Sequence, residues 1–544
     1  MKTVVTVCGT HALSARLFAV VAMCLGATSA MAAANYWAGA DGADLATDAN
    51  WSENALPTSA AGYFNGRSEH GTDYTATLSA NTSFRQLIWG GNSPMPKSTV
   101  LDLCGKTLTL TLSGARPIRI ENGFQGVSVA ITNGTLTFST PTETAWALGS
   151  NQTLTFGAGL TFNGNAAIHA AGGTPSTNSM IVAKDGAKVN GRLYVNSYQS
   201  KGTILIAGDG TEINFGGANM VLASSTTAYS NTCYVADGAL VTNVAELAFG
   251  SAATFGNVFV VSNAEMYANK VTVGDAAGHN CNRLEIKGAG ALLRVFNNAD
   301  ANINGKGASN VVHVTQGATY HVTGTTYFGH GVGFGNQLIV DSCATNIYDG
   351  TSQYLYVGCS GATNGTSVFV GDGALLNPRC LGVLGYNNDF TISNGVLKIS
   401  RLFYVNSNGV GAETCFRFKG AKPQLVVPSG ASDPGFGSGV KPKFIFEIPA
   451  GGYTAVPIDC VQSWTFPDDA ELDVDASAYS DAGGGTLVLA RVTGDKKTLT
   501  VSNALLSRWN SELAAKRCSV SYDATARTLS LKVKKNTGSL IIVF

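Results

Sequence analysis

Apolar and polar residues alternate along this chain in short runs, and the runs return at a fixed interval. One phrase is apolar–x–apolar, a two-residue turn, then Gly-Ala or Ala. It reads Met180-Ile181-Val182-Ala183-Lys184-Asp185-Gly186-Ala187, then Tyr234-Val235-Ala236-Asp237-Gly238-Ala239. It comes back as Leu284-Glu285-Ile286-Lys287-Gly288-Ala289, Val368-Phe369-Val370-Gly371-Asp372-Gly373-Ala374 and Phe416-Arg417-Phe418-Lys419-Gly420-Ala421. The second inward residue of each phrase gives the series Ile131, Phe156, Val182, Ile206, Val235, Val260, Ile286, Val314, Val340, Val370, Ile392 and Phe418. That is 287 residues in eleven steps, a mean near 26. A second marker precedes most of these, as in Leu193-Tyr194-Val195-Asn196, Tyr327-Phe328-Gly329, Leu355-Tyr356-Val357-Gly358 and Phe403-Tyr404-Val405-Asn406. Period-two alternation is the signature of strands. A constant repeat of this length is the signature of a solenoid.

The turns agree. Nine Asn-Gly pairs, among them Asn133-Gly134, Asn304-Gly305 and Asn394-Gly395, share the connections with Asp-Gly pairs such as Asp185-Gly186 and Asp237-Gly238. Both pairs tolerate positive φ, which sharp corners require. An isolated Asn-Gly suggests an antiparallel hairpin, and hence a sandwich. Same-sense markers at constant spacing predict instead the corners of an all-β, single-stranded parallel β-helix. One winding buries too little apolar surface to offset its own ordering entropy, so its stability comes from its neighbours.

The chain divides at its composition breaks. Residues 1–32 read as a signal peptide, with Lys2 and Arg16 before the apolar run Leu17–Leu25 and a small-x-small site at Ala30-Met31-Ala32. Residues 33–75 hold Trp37, Trp51, Pro57, Tyr63 and Phe64, which suit an N-terminal cap. The β-helix is expected over 76–425. A Pro/Gly/Ser-rich break at 428–435 then opens a mostly-β C-terminal domain, 426–544, with one helical pattern over Ser502–Lys516.

Composition narrows the class. The chain has 544 residues with 65 Gly, 35 basic against 35 acidic residues, and only 13% charged. No basic run provides a footprint for nucleic acid. No stretch after the leader reaches membrane-spanning length, so the mature chain is expected to carry no transmembrane segment. A low-charge surface behind a signal peptide predicts a secreted or cell-surface protein. Nine cysteines follow residue 32, with no Cys-x-x-Cys among them, and they read as small buried residues rather than as a disulfide or metal framework. No cofactor is expected.

The opening Trp37-x-Gly39, Asn50-Trp51-Ser52 and Pro57 resembles that of secreted bacterial proteins with autotransporter-associated strand repeats. The "LYVG … NxLxVxxGA" windings over about 33–425 are similar to autotransporter passenger domains. That resemblance implies a right-handed β-helix and an adhesin-like or structural extracellular role with glycan or cell-surface partners. The chain departs from the family at its end, where about 120 residues replace a membrane barrel of well over 200.

Two surface groups carry candidate chemistry. Stacking the repeats sets Arg283, Glu285 and Lys287 beside His313 and Thr315, followed by Asp341. His313 near Glu285 and Asp341 is an acid/base arrangement for a polysaccharide lyase or hydrolase, the alternative to a binding role. The plainer reading is a solvated polar patch. Pectin hydrolases of the β-helix class carry an Asn-Thr-Asp, a paired Asp, a Gly-His-Gly and an Arg-x-Lys. This chain matches only Gly329-His330-Gly331, and its sole Asp-Asp, Asp468-Asp469, lies in the C-terminal segment. The second group is an outward aromatic set, Tyr194, Tyr327, Tyr356 and Tyr404 on one strand position and Tyr234, Phe259 and Phe369 on another. Such rings suit glycan binding, though aromatics also favour strands for their own sake.

Overall fold

The computed structural model describes residues 34–535 apart from 65–72, 91–96, 113–116, 122–124, 140–145, 169–175, 196–198, 224–228, 250–253, 275–277, 298–300, 304–306, 330–333, 350–353, 359–364 and 407–412. The expected signal peptide, Asn304-Gly305, His330, Cys359 and the side chain of Tyr194 therefore lie outside the described residues.

The strands wind as a parallel β-solenoid. Thr153–Phe156, Met180–Lys184, Thr203–Ala207, Thr232–Ala236, Val258–Ser262, Arg283–Lys287 and Val311–Thr315 pair in sequence, each parallel to the one before, and form sheet A. Sheet B runs beside it through Lys188–Asn190, Glu212–Val221, Leu240–Ala248, Glu265–Thr272, Leu292–Val295 and Thr319–Thr323. Sheet C is interrupted. Its longer segments are a five-stranded piece from Asn35–Tyr36 to Trp146–Ala147 and a six-stranded piece from Ala301–Ile303 to Gly435–Phe436. Inward residues of successive windings form ladders; Leu154, Ile181, Ile204, Cys233, Phe259, Leu284 and Val312 are one such column, all buried. The apolar core is one continuous cluster from Trp37 to Val533. Between sheets A and B the chain turns through consecutive left-handed residues, as at Asp185 (φ 57°) and Gly186 (φ 82°), where the Asp-Gly pair is what the corner requires.

Ten of the twelve inward residues expected from the repeat occupy the inward column. The other two are displaced by one. Ala183 and Val261 point inward, while Val182 and Val260 face the other way, yet all four are buried. The same slip corrects Phe259, expected outside and found fully buried opposite Cys233. In Ile181-Val182-Ala183 and Phe259-Val260-Val261 every residue is apolar, so alternation loses its phase and pairing register decides.

An ordered file of polar residues lines the corner before sheet A. Asn231, Asn257, Asn282, Asn310 and Asn336 are buried one above another. The Oδ1 of Asn282 accepts from both the backbone N–H of Asn257 (3.1 Å) and its Nδ2 (3.1 Å), and Asn310 does the same for Asn282 at 2.9 and 3.2 Å. Each side chain thus satisfies a backbone donor that the corner would otherwise bury unpaired.

The two ends are closed differently. At the start, Trp37, Trp51 and Phe64 pack together, Trp37 to Trp51 edge-on at 5.2 Å, and Trp51 Nε1 donates to the Leu45 carbonyl at 3.0 Å. This aromatic stretch is itself wound, since Asn35 and Tyr36 pair parallel with Gly62 and Tyr63. At the far end the ladder runs beyond residue 425: Lys441–Glu447 pairs in register with Glu413–Lys419, and Glu471–Asp475 with Lys443–Glu447. Only then does pairing turn antiparallel, through Gly485–Val492, Thr528–Val533 and Cys518–Asp523. The expected helix spans Asn503–Ala514, with the Ser502 hydroxyl accepting from Leu505 N at 3.2 Å and Leu505, Trp509 and Leu513 buried. The break at 428–435 is therefore a loop within the solenoid, and the β/α cap is smaller than the segment after it.

Of the eight described cysteines, all free, Cys233, Cys380, Cys460 and Cys518 are buried as expected of small core residues. Cys104, Cys281 and Cys343 are exposed at left-handed positions, which corrects the reading for those three. Among the described residues no helix is long and apolar enough to cross a membrane, and no three His, Cys, Asp or Glu side chains gather as metal ligands.

Candidate functional site

Sheet A brings the first candidate group together. Glu285 stands opposite His313 in the ladder, Arg283 opposite Val311 and Lys287 opposite Thr315. The result is a chain of contacts across three windings. Lys287 reaches Glu285 at 3.4 Å, Arg283 Nε donates to Glu285 at 3.1 Å, the Arg283 guanidinium lies 2.8 Å from His313 Nδ1, and His313 Nε2 lies 3.2 Å from Asp341. Burial opposes ionisation of Glu285, but hydrogen bonds from Arg283 and the charges of Arg283 and Lys287 outweigh it and hold its carboxyl below the usual range.

This geometry fixes the state of the histidine. A guanidinium only donates, so His313 Nδ1 accepts, and its Nε2–H donates to Asp341. Both ring nitrogens are committed inside the network. A general base needs a lone pair aimed at substrate, and His313 offers none in this arrangement. The group ties windings together. Replacing His313 by Ala is expected to lower stability by about 1.5–3 kcal/mol, the scale of a hydrogen bond to a charged group. Calorimetry of the variant checks this, and an unchanged melting temperature would refute the tie.

The tyrosines divide. Tyr327 and Tyr356 are register neighbours on sheet C, with rings 5.0 Å apart and 13° from parallel. Tyr354, which was not among the expected residues, stacks on Tyr356 at 5.0 Å and 17°. Tyr404 belongs to the same sheet two windings on from Tyr356, turned edge-on at 6.4 Å and 73°. The residue between them in the ladder is Gly382. A Cβ there would stand 2.7 Å from the Tyr356 ring and 2.8 Å from the Tyr404 hydroxyl, so the absent side chain is what lets the two rings meet. Burial, followed by a hydrogen bond shared with Tyr356, pushes the Tyr404 phenol well above its ordinary range. Tyr194 lies elsewhere, on the short strand Leu193–Val195, which among the described residues pairs with Ala166–Ile168. Of the other aromatic positions, Tyr234 is exposed and Phe369 half-buried on sheet A.

Sequence reasoning passed over a further aromatic pair, Tyr267 and Phe296, stacked at 6.0 Å beside Asn243 and Asn269 in a groove at the edge of sheet B. No repeat phrase places them in one column. Arg294 lies over the Phe296 ring at 5.1 Å and covers part of it. Comparison of the chain with protein-family models, with curated proteins and with solved structures yields no match.

Proposed function

We propose that this protein is an extracellular, non-catalytic scaffold of passenger-like type that binds glycans through the outward tyrosines of sheet C. The observation that carries this reading is the cluster of Tyr327, Tyr354, Tyr356 and Tyr404 around the vacancy at Gly382. Stacked rings cover part of one another, so the cluster offers ring edges rimmed by phenol hydroxyls. That mixture of apolar surface and hydrogen-bonding groups matches the alternating C–H and O–H faces of a sugar. The secreted location rests on the leader-like residues 1–32, and the passenger-like assignment on the repeat phrase. The competing reading, a polysaccharide lyase or hydrolase, needs His313 as acid or base, and its two ring nitrogens are already engaged.

Glycan-array screening followed by calorimetric titration tests the proposal. Tyr356→Ala is expected to weaken binding by about tenfold or more, the loss of one good aromatic contact. Gly382→Ala is the sharper variant. The three atoms nearest its new methyl belong to tyrosine side chains, so the fold should melt within a few degrees of the parent while the rings are forced apart and affinity falls. Full affinity in both variants would sink the proposal. Reducing-sugar release by the native chain, abolished by His313→Ala, would establish the enzymatic reading instead.

A further inference from the structure

We infer that the corner leading into sheet C at Arg379 and Arg401 is an anion subsite beside the tyrosine cluster, so that the ligand is an acidic glycan carrying carboxylate or sulfate groups. The inference rests on the glycan reading above and names its substrate class. Arg379 immediately precedes the strand Cys380–Leu384, and Arg401 immediately precedes Leu402–Asn406. Cys380 pairs with Leu402, which puts the two arginines on successive windings, and the backbone N–H of Arg401 donates to the Arg379 carbonyl at 2.7 Å. Both line an open cleft of about 350 Å³ with Asp349, Asn377, Ser400 and Gly430.

Arginines outnumber carboxylates in the described lining of this cleft, two to one. The one carboxylate in that described lining, Asp349, accepts from the Thr323 hydroxyl at 3.1 Å and lies 2.8 Å from His321 Nε2. Among the described residues Arg379 has no carboxylate partner. Like charges one strand apart repel, and an anion between them relieves the repulsion. Planar guanidinium groups also match carboxylate and sulfate oxygens in a paired, directional way that ammonium groups do not. The cleft adjoins the tyrosine cluster at the start of sheet C. Tyr354 pairs in the sheet with Cys380, the residue that follows Arg379. Ser400 donates to Asn377 Oδ1 at 2.9 Å, which fixes that amide on the cleft wall. A sugar resting on the tyrosine rim would thus direct an acidic substituent toward the arginines.

The test is titration of the full chain with one oligosaccharide in three forms: neutral, uronate and O-sulfated. The acidic forms are expected to bind about tenfold more tightly than the neutral one at low salt, with the advantage shrinking as salt rises. Arg379→Ala and Arg401→Ala should each remove the preference and leave neutral-glycan affinity in place; Arg379→Lys should restore it only in part. The uronate and sulfate arms identify which anion is preferred. Equal binding of neutral and acidic forms, or a preference that survives both alanine variants, overturns the subsite while leaving the glycan reading intact. Arginine-dependent binding of an acidic peptide with no glycan binding at all overturns the glycan as ligand.

Discussion

Trp509→Ala is expected to unseat the C-terminal cap and promote self-association through a strand edge that the cap covers. The indole is fully buried, packs edge-on against Phe466 at 5.5 Å, and donates from Nε1 to the Ala470 carbonyl at 2.9 Å. Truncating a buried aromatic of this kind costs about 3–5 kcal/mol. The loss falls on one place. Glu471–Asp475 is the last strand of sheet A, and the helix Asn503–Ala514 packs against it. Arg508 reaches the Ala470 carbonyl, and Lys516 the Val474 carbonyl at 3.1 Å. With the helix gone, that strand presents an unpaired edge to the next molecule. Hydrogen exchange should rise across 441–492 while the middle windings stay protected, and light scattering should report association. Trp509→Phe, which keeps an aromatic ring but loses the N–H bond and the volume of the second ring, should retain part of the protection. The cap should also loosen in acid. A hydrogen bond from Lys516, opposed by burial, holds the Asp473 carboxyl below its ordinary range. A group whose pKa is depressed on folding contributes stability above the unfolded value and loses it as pH falls through the folded one. A variant with the parent's scattering and unchanged exchange would show that the helix is ornamental.

Much of this architecture is legible in the sequence because a solenoid repeats its reasons. Each winding needs the same inward Val, Ile, Leu or Phe and the same left-handed corner, so Ile286 or Asp237-Gly238 can be placed without knowing what lies across the molecule. The reading fails where those reasons run out. In Phe259-Val260-Val261 three apolar residues erase the phase, and hydrogen bonding to Thr232–Ala236 sets it. Past residue 425 the repeat phrase weakens, yet Lys441–Glu447 continues the ladder because pairing follows the preceding strand rather than a motif. The tyrosine neighbours Tyr327 and Tyr356 follow from the period, whereas Gly382 between Tyr356 and Tyr404 draws its importance from a side chain that is absent. His313 shows the opposite limit. Spacing places it beside Glu285, but which partner each ring nitrogen takes is set by where Arg283 and Asp341 point.

Asn282→Ala is expected to divide the rod. Asn recurs in the repeat phrase, where sequence alone gives it no task, and the structure makes it the rivet between windings. Removing the Asn282 amide leaves two buried donors of Asn257, its backbone N–H and its Nδ2, without their acceptor, and takes one donor from Asn310. At about 1–3 kcal/mol for each of the two stranded donors, the deficit is about 2–6 kcal/mol. In a one-dimensional fold the interface between neighbours carries that loss, so a single calorimetric transition should broaden or split as the windings on either side of 282 uncouple. Asn282→Asp separates hydrogen bonding from shape. An ionised Asp still accepts from Asn257 but has no proton for Asn310 Oδ1 and buries a charge; protonated, it can do both. Its folded pKa should therefore lie above the unfolded value, which makes its contribution full in acid and lost as pH rises through the folded pKa. The Asp variant should approach the parent near pH 4 and fall to the Ala variant near neutrality, as read by melting temperature against pH. A deficit that ignores pH, or an Asn282→Ala loss below about 1 kcal/mol, would mean that the apolar ladders alone hold the windings in register.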